Sequence, residues 1–155
     1  MMTLSPSEAL ARLGLTLPAP PQPAGSYRPA VREGDLVWVS GQGAMKDGAV
    51  LYPGRVDGQV SVPQAQEAAR LATLQGLSAV GALVGSLDRV RQVLRVGVYV
   101  ASEPTFTRQH EVANGATELL IALFGERGRP SRVSMGVPSL PLNLPVEVEL
   151  LVAVE

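Results

Sequence analysis

Residues 146–154 read VEVELLVAV, and their alternation constrains the chain more than any other segment. A β-strand points successive side chains to opposite faces. Val146, Val148, Leu150, Val152 and Val154 then form one wholly apolar face. Glu147, Glu149, Leu151 and Ala153 form the other, which starts with two carboxylates and turns apolar. A strand with one core face and a half-apolar second face is expected to be covered on both sides. In a chain of 155 residues, one compact domain, the second cover is expected from another subunit.

Two further strand patterns agree. In LVWVSG (36–41), Leu36 and Trp38 share one face and Val37 and Val39 the other, so both faces are apolar. A partner strand at 27–31 is expected to reach it through a turn at 32–35, and Asp47-Gly48 marks a hairpin that returns 49–52. In 93–100, Val96, Val98 and Val100 face one way and Arg95, Gly97 and Tyr99 the other. Between these strands lie two long helical patterns. Residues 63–84 repeat Ala68, Leu71, Leu74, Leu77 and Val80 at threes, with Gly76 and Gly81 weakening the helix unless close packing needs them. Residues 105–124 carry Ala113, Ala116, Leu119, Leu120 and Leu123, and Asn114-Gly115 interrupts them without an evident core reason. The order α, β-β-β, long α, β, α, β-β predicts an α+β fold: one mixed sheet with both long helices on one face.

The N-terminal part reads differently. Ser5-Pro6-Ser7-Glu8 is a helix start with a capping box, and Gly14 stops a short helix over 6–13. Residues 17–25 hold four prolines and read as an extended linker crossing a surface. The boundaries expected are 1–24 for this helix and linker, and 25–155 for a single domain.

Composition removes whole classes of function. There is no cysteine, which excludes disulfides, thiolate nucleophiles and Cys-ligated metals. His110 is the sole histidine, so no multi-histidine metal site can form within one chain, and no Gly-x-Ser-x-Gly elbow accompanies it. Neither glycine-rich phosphate loop occurs. The net charge of −1 argues against a dedicated nucleic-acid binder. Lys46 is the sole lysine, and the other positive charges are arginines, the side chain suited to bidentate carboxylate binding. No signal-peptide pattern or membrane span is read, so a cytoplasmic protein is expected.

The polar groups with most chemical potential lie at 129–149. Arg132 follows Pro130 near the start of an expected strand, and Glu147 lies fifteen residues on. An antiparallel return through the proline-rich turn at 138–145 would bring the two together at the sheet end. A guanidinium can clamp a substrate carboxylate through two parallel hydrogen bonds, and a carboxylate can orient a water and take its proton. The same spacing also fits a plain ion pair at a strand end, with Glu149 pairing an arginine at a subunit interface. Tyr27 can donate its hydroxyl to a ligand or simply pack. Ser40-Gly41-Gln42 can present an amide to a cleft or end its strand in a bulge. Asn114 can bind a ligand or merely interrupt its helix.

Four motifs, in order, resemble the Rid/YjgF family of reactive-intermediate deaminases. They are Gly25-Ser26-Tyr27, the strand VWVSGQ at 37–42, Pro130-Ser131-Arg132 and Val146-Glu147-Val148-Glu149. The resemblance covers residues 25–155. Asn114-Gly115-Ala116-Thr117 and Leu140-Pro141-Leu142 resemble a subgroup of mostly unassigned activity. The resemblance implies a chorismate-mutase-like fold and a homotrimer whose sheets form a central barrel, with clefts between neighbours. In the family's deaminases an arginine clamps the carboxylate of a 2-imino or 2-enamino acid, water adds to the C=N carbon, and ammonia leaves. No metal or organic cofactor takes part. Carried over, Arg132 is the clamp and Glu147 positions water. Tyr27, Ser40, Gly41, Asn114 and Ser134 are the substrate-binding candidates. Departures from the family pattern are Val133 for serine, Ser134 for cysteine, and Arg28-Pro29 for Ser-Gln. The expected partner is a small carboxylate-bearing metabolite. A non-catalytic binding module for such a metabolite is the alternative, and RNA cleavage is disfavoured by charge.

Overall fold

A computed structural model describes residues 2–155. Helix α1 (Pro6–Arg12) is followed by strands β1 (Ala30–Glu33), β2 (Leu36–Gly43), β3 (Met45–Lys46) and β4 (Ala49–Val50). Then come helix α2 (Val62–Val84), strand β5 (Val90–Ala101), helix α3 (Gln109–Phe124), and strands β6 (Ser131–Val137) and β7 (Val146–Val154). The main sheet runs β1-β2-β7-β5-β6. Its pairs are antiparallel except β5 with β6, which is parallel. Helix α2 packs over β2 and β7, and α3 over β5 and β6, so both long helices cover one face.

The strand that constrained the sequence reading sits at the centre. All five even-numbered valines and leucines of β7 are buried, together with Val37, Val39, Val96, Val98 and Val100 beneath the helices. The opposite face is open in the single chain. Trp38 stays 48% exposed and Met135 47%, and Leu151, paired with Trp38, is half-buried. The twofold burial expected for LVWVSG is therefore met on the Val37/Val39 side alone within one subunit.

Capping chemistry fixes the helix ends. Ser5 and Glu8 form the capping box of α1; Ser61 and Gln64 form an equivalent one at α2, and Gly85 ends α2 with φ +99°. Gly76 and Gly115 inside the helices have packing reasons, whereas a Cβ on Gly81 would meet only ordinary contacts with Leu17 and Leu87. A Cβ on Gly76 would press against Leu150 and Val39 of the sheet. On Gly115 it would fall on the Gln66 backbone, so this glycine lets α3 lie directly against α2. Gly115 is thus required by the core after all.

Several boundaries differ from the sequence reading. The first hairpin pairs Ala30–Glu33, not 27–31, with β2. Pro29 has no N–H to give the ladder, and the loop is the two residues Gly34-Asp35, with Gly34 at φ +58°. Helix α3 starts at Gln109 rather than 105, because Phe106 is buried in a turn closed by its own N–H to the Glu103 carbonyl. Strand β5 runs 90–101, longer than the alternating core, and two register shifts against β7 near its start hide that end from a strict period. The Asp47-Gly48 turn forms as expected, but its strands make a separate two-stranded sheet.

Candidate functional site

The main departure concerns Arg132 and Glu147. Strands β6 and β7 do not pair; β5 lies between them. Arg132 pairs with Val96, whose side chain lies under α3, while Glu147 pairs with Tyr99 on the open face. Tyr99 is also level with Met135, three residues along β6 from Arg132. Two strand spacings across and three residues along give roughly 10 Å in each direction. The two side chains leave opposite faces and do not meet within one chain. The chain does return antiparallel, but 138–145 carries it past β5 to the far side of that strand, and the pattern of neither strand records its neighbour.

Around Glu147 the sequence builds a pocket. In β2, Ser40 and Gly41 together oppose one residue of β7, a β-bulge between the pairs Val39–Leu150 and Gln42–Val148. The bulge reverses the alternation, turning Gln42 inward to the core and Gly43 outward. Gly41 is bare because Glu147 occupies the space a Cβ would fill, and Leu144 does the same over Gly43. The Ser40 hydroxyl donates to the Arg28 carbonyl (2.6 Å) and its N–H to Pro29 (2.9 Å), which ties the segment after Tyr27 to the bulge. The resulting cavity of about 800 Å³ is lined by Tyr27, Ser40, Gly41, Gln42, Gln75 and Glu147, with apolar walls from Leu142, Leu144 and the 19–24 segment.

Burial raises the Glu147 carboxyl above the ordinary range, and the nearby Glu149 carboxylate adds to this. Glu149 itself accepts from Arg95 (2.9 Å) and from the Tyr99 hydroxyl (2.9 Å), across the space left by Gly97. Glu149 thus takes the ion-pair role, with an arginine of its own chain. Among the described residues, no cation pairs with Glu147.

Arg132 occupies a different setting. It lies on β6, an edge strand, and is exposed. Its Nη1 donates to the Asn114 side-chain oxygen (2.8 Å) and to the Thr117 hydroxyl (3.3 Å), both on α3. No carboxylate pairs with it among the described residues. Ser134 shares the Arg132 face of β6 and is half-buried. The candidates therefore fall into two sets: Tyr27, Ser40, Gly41 and Glu147 in the pocket, and Arg132, Asn114 and Ser134 at the sheet edge. His110 is exposed. Among the described residues, no three His, Asp or Glu side chains gather as a metal site, and no helix is long and apolar enough to cross a membrane.

Sequence reasoning missed Gln75, Leu142, Leu144 and the lining residues of 19–24. Leu142 and Asn143 follow Pro141 and both adopt positive φ (59° and 61°), a backbone that holds Leu142 out at the pocket rim and that the residue type of Leu142 does not announce.

Comparison with known proteins fits this geometry. Residues 7–154 match the family model described as "YjgF/chorismate_mutase-like, putative endoribonuclease". Protein TCP17 of Trypanosoma cruzi is 42% identical over 144 residues, 92% of this chain and 90% of that protein. A 2-iminobutanoate/2-iminopropanoate deaminase of Dermatophagoides farinae is 28% identical over 141 residues, 91% of this chain and 95% of that one. A crystal structure from Shewanella oneidensis MR-1, described as a "putative endoribonuclease", superposes with a TM-score of 0.93 at 30% identity, covering 97% of this chain and all of that one.

Proposed function

The chain belongs to the YjgF/chorismate-mutase-like family, also called Rid, and from that premise we propose that it is a hydrolytic deaminase of 2-imino or 2-enamino acids. Its working unit is a homotrimer in which the pocket of one subunit is completed by the edge strand of the next. One observation carries this reading: among the described residues, the pocket lining holds the unpaired carboxylate of Glu147 and no cation, and the unpaired guanidinium of Arg132 stands on the sheet edge outside that lining. Each set lacks what the other has. The open sheet face, with Trp38 and Met135 exposed, supplies the apolar surface such an assembly covers.

In the completed cleft Arg132 grips the substrate carboxylate by two parallel hydrogen bonds, its guanidinium oriented by Asn114 and Thr117. Glu147 holds a water and accepts one of its protons as the oxygen bonds to C2 and the C=N π bond opens. Glu147 returns that proton to the nitrogen of the carbinolamine. The Glu147 carboxylate then takes the proton of the new C2 hydroxyl and passes it to the same nitrogen as the C–N bond breaks, so ammonia leaves and C2 becomes the carbonyl of a 2-keto acid. A carboxyl raised by burial suits this shuttle better than an ordinary surface glutamate. The 28% identical deaminase supports the chemistry from outside the chain.

The test generates imines with an amino-acid oxidase and lets semicarbazide trap what survives. Wild-type protein should compete with the trap, and Arg132→Ala should lose about a hundredfold or more in kcat/KM. Failure of wild type across several imines removes the deaminase reading and leaves carboxylate binding to be measured by calorimetry.

A further inference from the structure

We propose that the proline-rich arm 17–24 is a fixed wall of the pocket and selects 2-imino acids with large uncharged side chains. The inference rests on the deaminase reading for its chemistry and extends it to the substrate's side chain.

The arm is anchored on both sides of the stretch that lines the cavity. Before it, Leu15 and Leu17 pack against the core, and the Pro18 carbonyl accepts from the Ser78 hydroxyl of α2. After it, the Ala24 N–H donates to the Tyr27 hydroxyl (3.2 Å), a residue that itself lines the cavity. Between the anchors, Ala19, Pro21, Gln22 and Ala24 face the pocket, and Pro20 and Pro21 also line a groove with Ala79 and Leu83 of α2. Four prolines in 17–24 fix φ along the stretch, so the wall forms at small entropic expense and does not fold back into the space it borders.

The lining states what the wall accepts. Among the described residues that line it, Glu147 is the sole charged side chain. Pro21, Ala24, Met45, Leu142 and Leu144 give apolar walls, and Gln22 and Gln75 are neutral amides. The space of about 800 Å³ far exceeds what a methyl side chain fills. A second carboxylate on the substrate would find no cation from this chain's pocket and would face Glu147. The fit is therefore to imines of the leucine or phenylalanine kind, over those of alanine and of glutamate.

Two arm variants test this in the full chain. Ala24→Trp fills the wall side of the cavity and should lower the preference for the phenylalanine imine over the alanine imine about tenfold, read as a ratio of kcat/KM values. Gln22→Arg sets a cation in the same wall and should raise the relative rate on the glutamate imine about tenfold. In parallel, calorimetry measures binding of the 2-keto acids of leucine and glutamate to each protein. If wild type turns over imines but neither ratio moves, the wall is overturned and the deaminase stands. If nothing is turned over yet the keto-acid preference shifts with both variants, the deaminase falls and the wall stands. If neither turnover nor a shift in keto-acid preference is seen, both are overturned.

Discussion

The pocket around Glu147 and the sheet edge around Arg132 are built by opposite means. The pocket is made by backbone irregularity: a bulge at Ser40-Gly41, a bare Gly41 under the carboxylate, and two left-handed residues at Leu142-Asn143. The edge is made by regular structure, a straight parallel strand with one helix beside it and two side-chain hydrogen bonds. The pocket raises a carboxyl's proton affinity by removing water; the edge leaves a guanidinium exposed and only orients it. The contrast teaches that the two sets of candidate residues stand apart within one chain; in the proposed cleft the first would supply the base and the second the anchor.

Variants that break one half at a time sharpen that contrast. The largest effect after loss of Arg132 is expected for Glu147→Gln, about a hundredfold in kcat with a smaller change in KM. Its pH profile is the diagnostic. In wild type the rate should fall on the acid side through the raised Glu147 pKa, as the base becomes protonated, and that limb should be missing in the variant. Gly41→Ala should cost about tenfold in rate, because its Cβ must displace the Glu147 carboxylate. Stability should fall little there, since the obstructing atoms end a flexible side chain. Asn114→Ala should raise KM severalfold, since Arg132 keeps only the longer bond to Thr117.

The smallest effect is on stability. Burial raises the folded-state pKa of Glu147 above its unfolded value, so the folded chain binds more protons in the interval between them. The associated stability is fully present below the unfolded pKa and is lost as pH rises through the folded one. Glu147→Gln should therefore melt above wild type at neutral pH, with the difference vanishing in acid. A variant that melts lower at neutral pH would mean Glu147 has a stabilising partner instead.

How legible each half was follows from what made it. Strand β7 and the apolar stripes of α2 and α3 announced themselves by period, because burial on one side leaves a regular mark. The capping box at Ser5 was readable from four residues, since its reciprocal bonds are local. Gly115 was not, because its reason is the Gln66 backbone of another helix, 49 positions away in the chain. The insertion of β5 between β6 and β7 was equally silent, so the Arg132–Glu147 spacing suggested a contact that the topology forbids. The arm at 17–24 was expected to be an extended linker crossing a surface, and a proline-rich stretch carries no sign of which cavity it borders.

The joining of the two halves across subunits is tested most directly by mixing Arg132→Ala and Glu147→Gln chains, unfolded together and refolded. Each variant alone should be inactive. In randomly mixed trimers, one cleft in four should take its arginine and its glutamate from chains that each retain them, returning about a quarter of wild-type activity. If the mixture is as inactive as either variant, although mixed trimers are shown to form, the two residues do not act across an interface and the composite site is wrong.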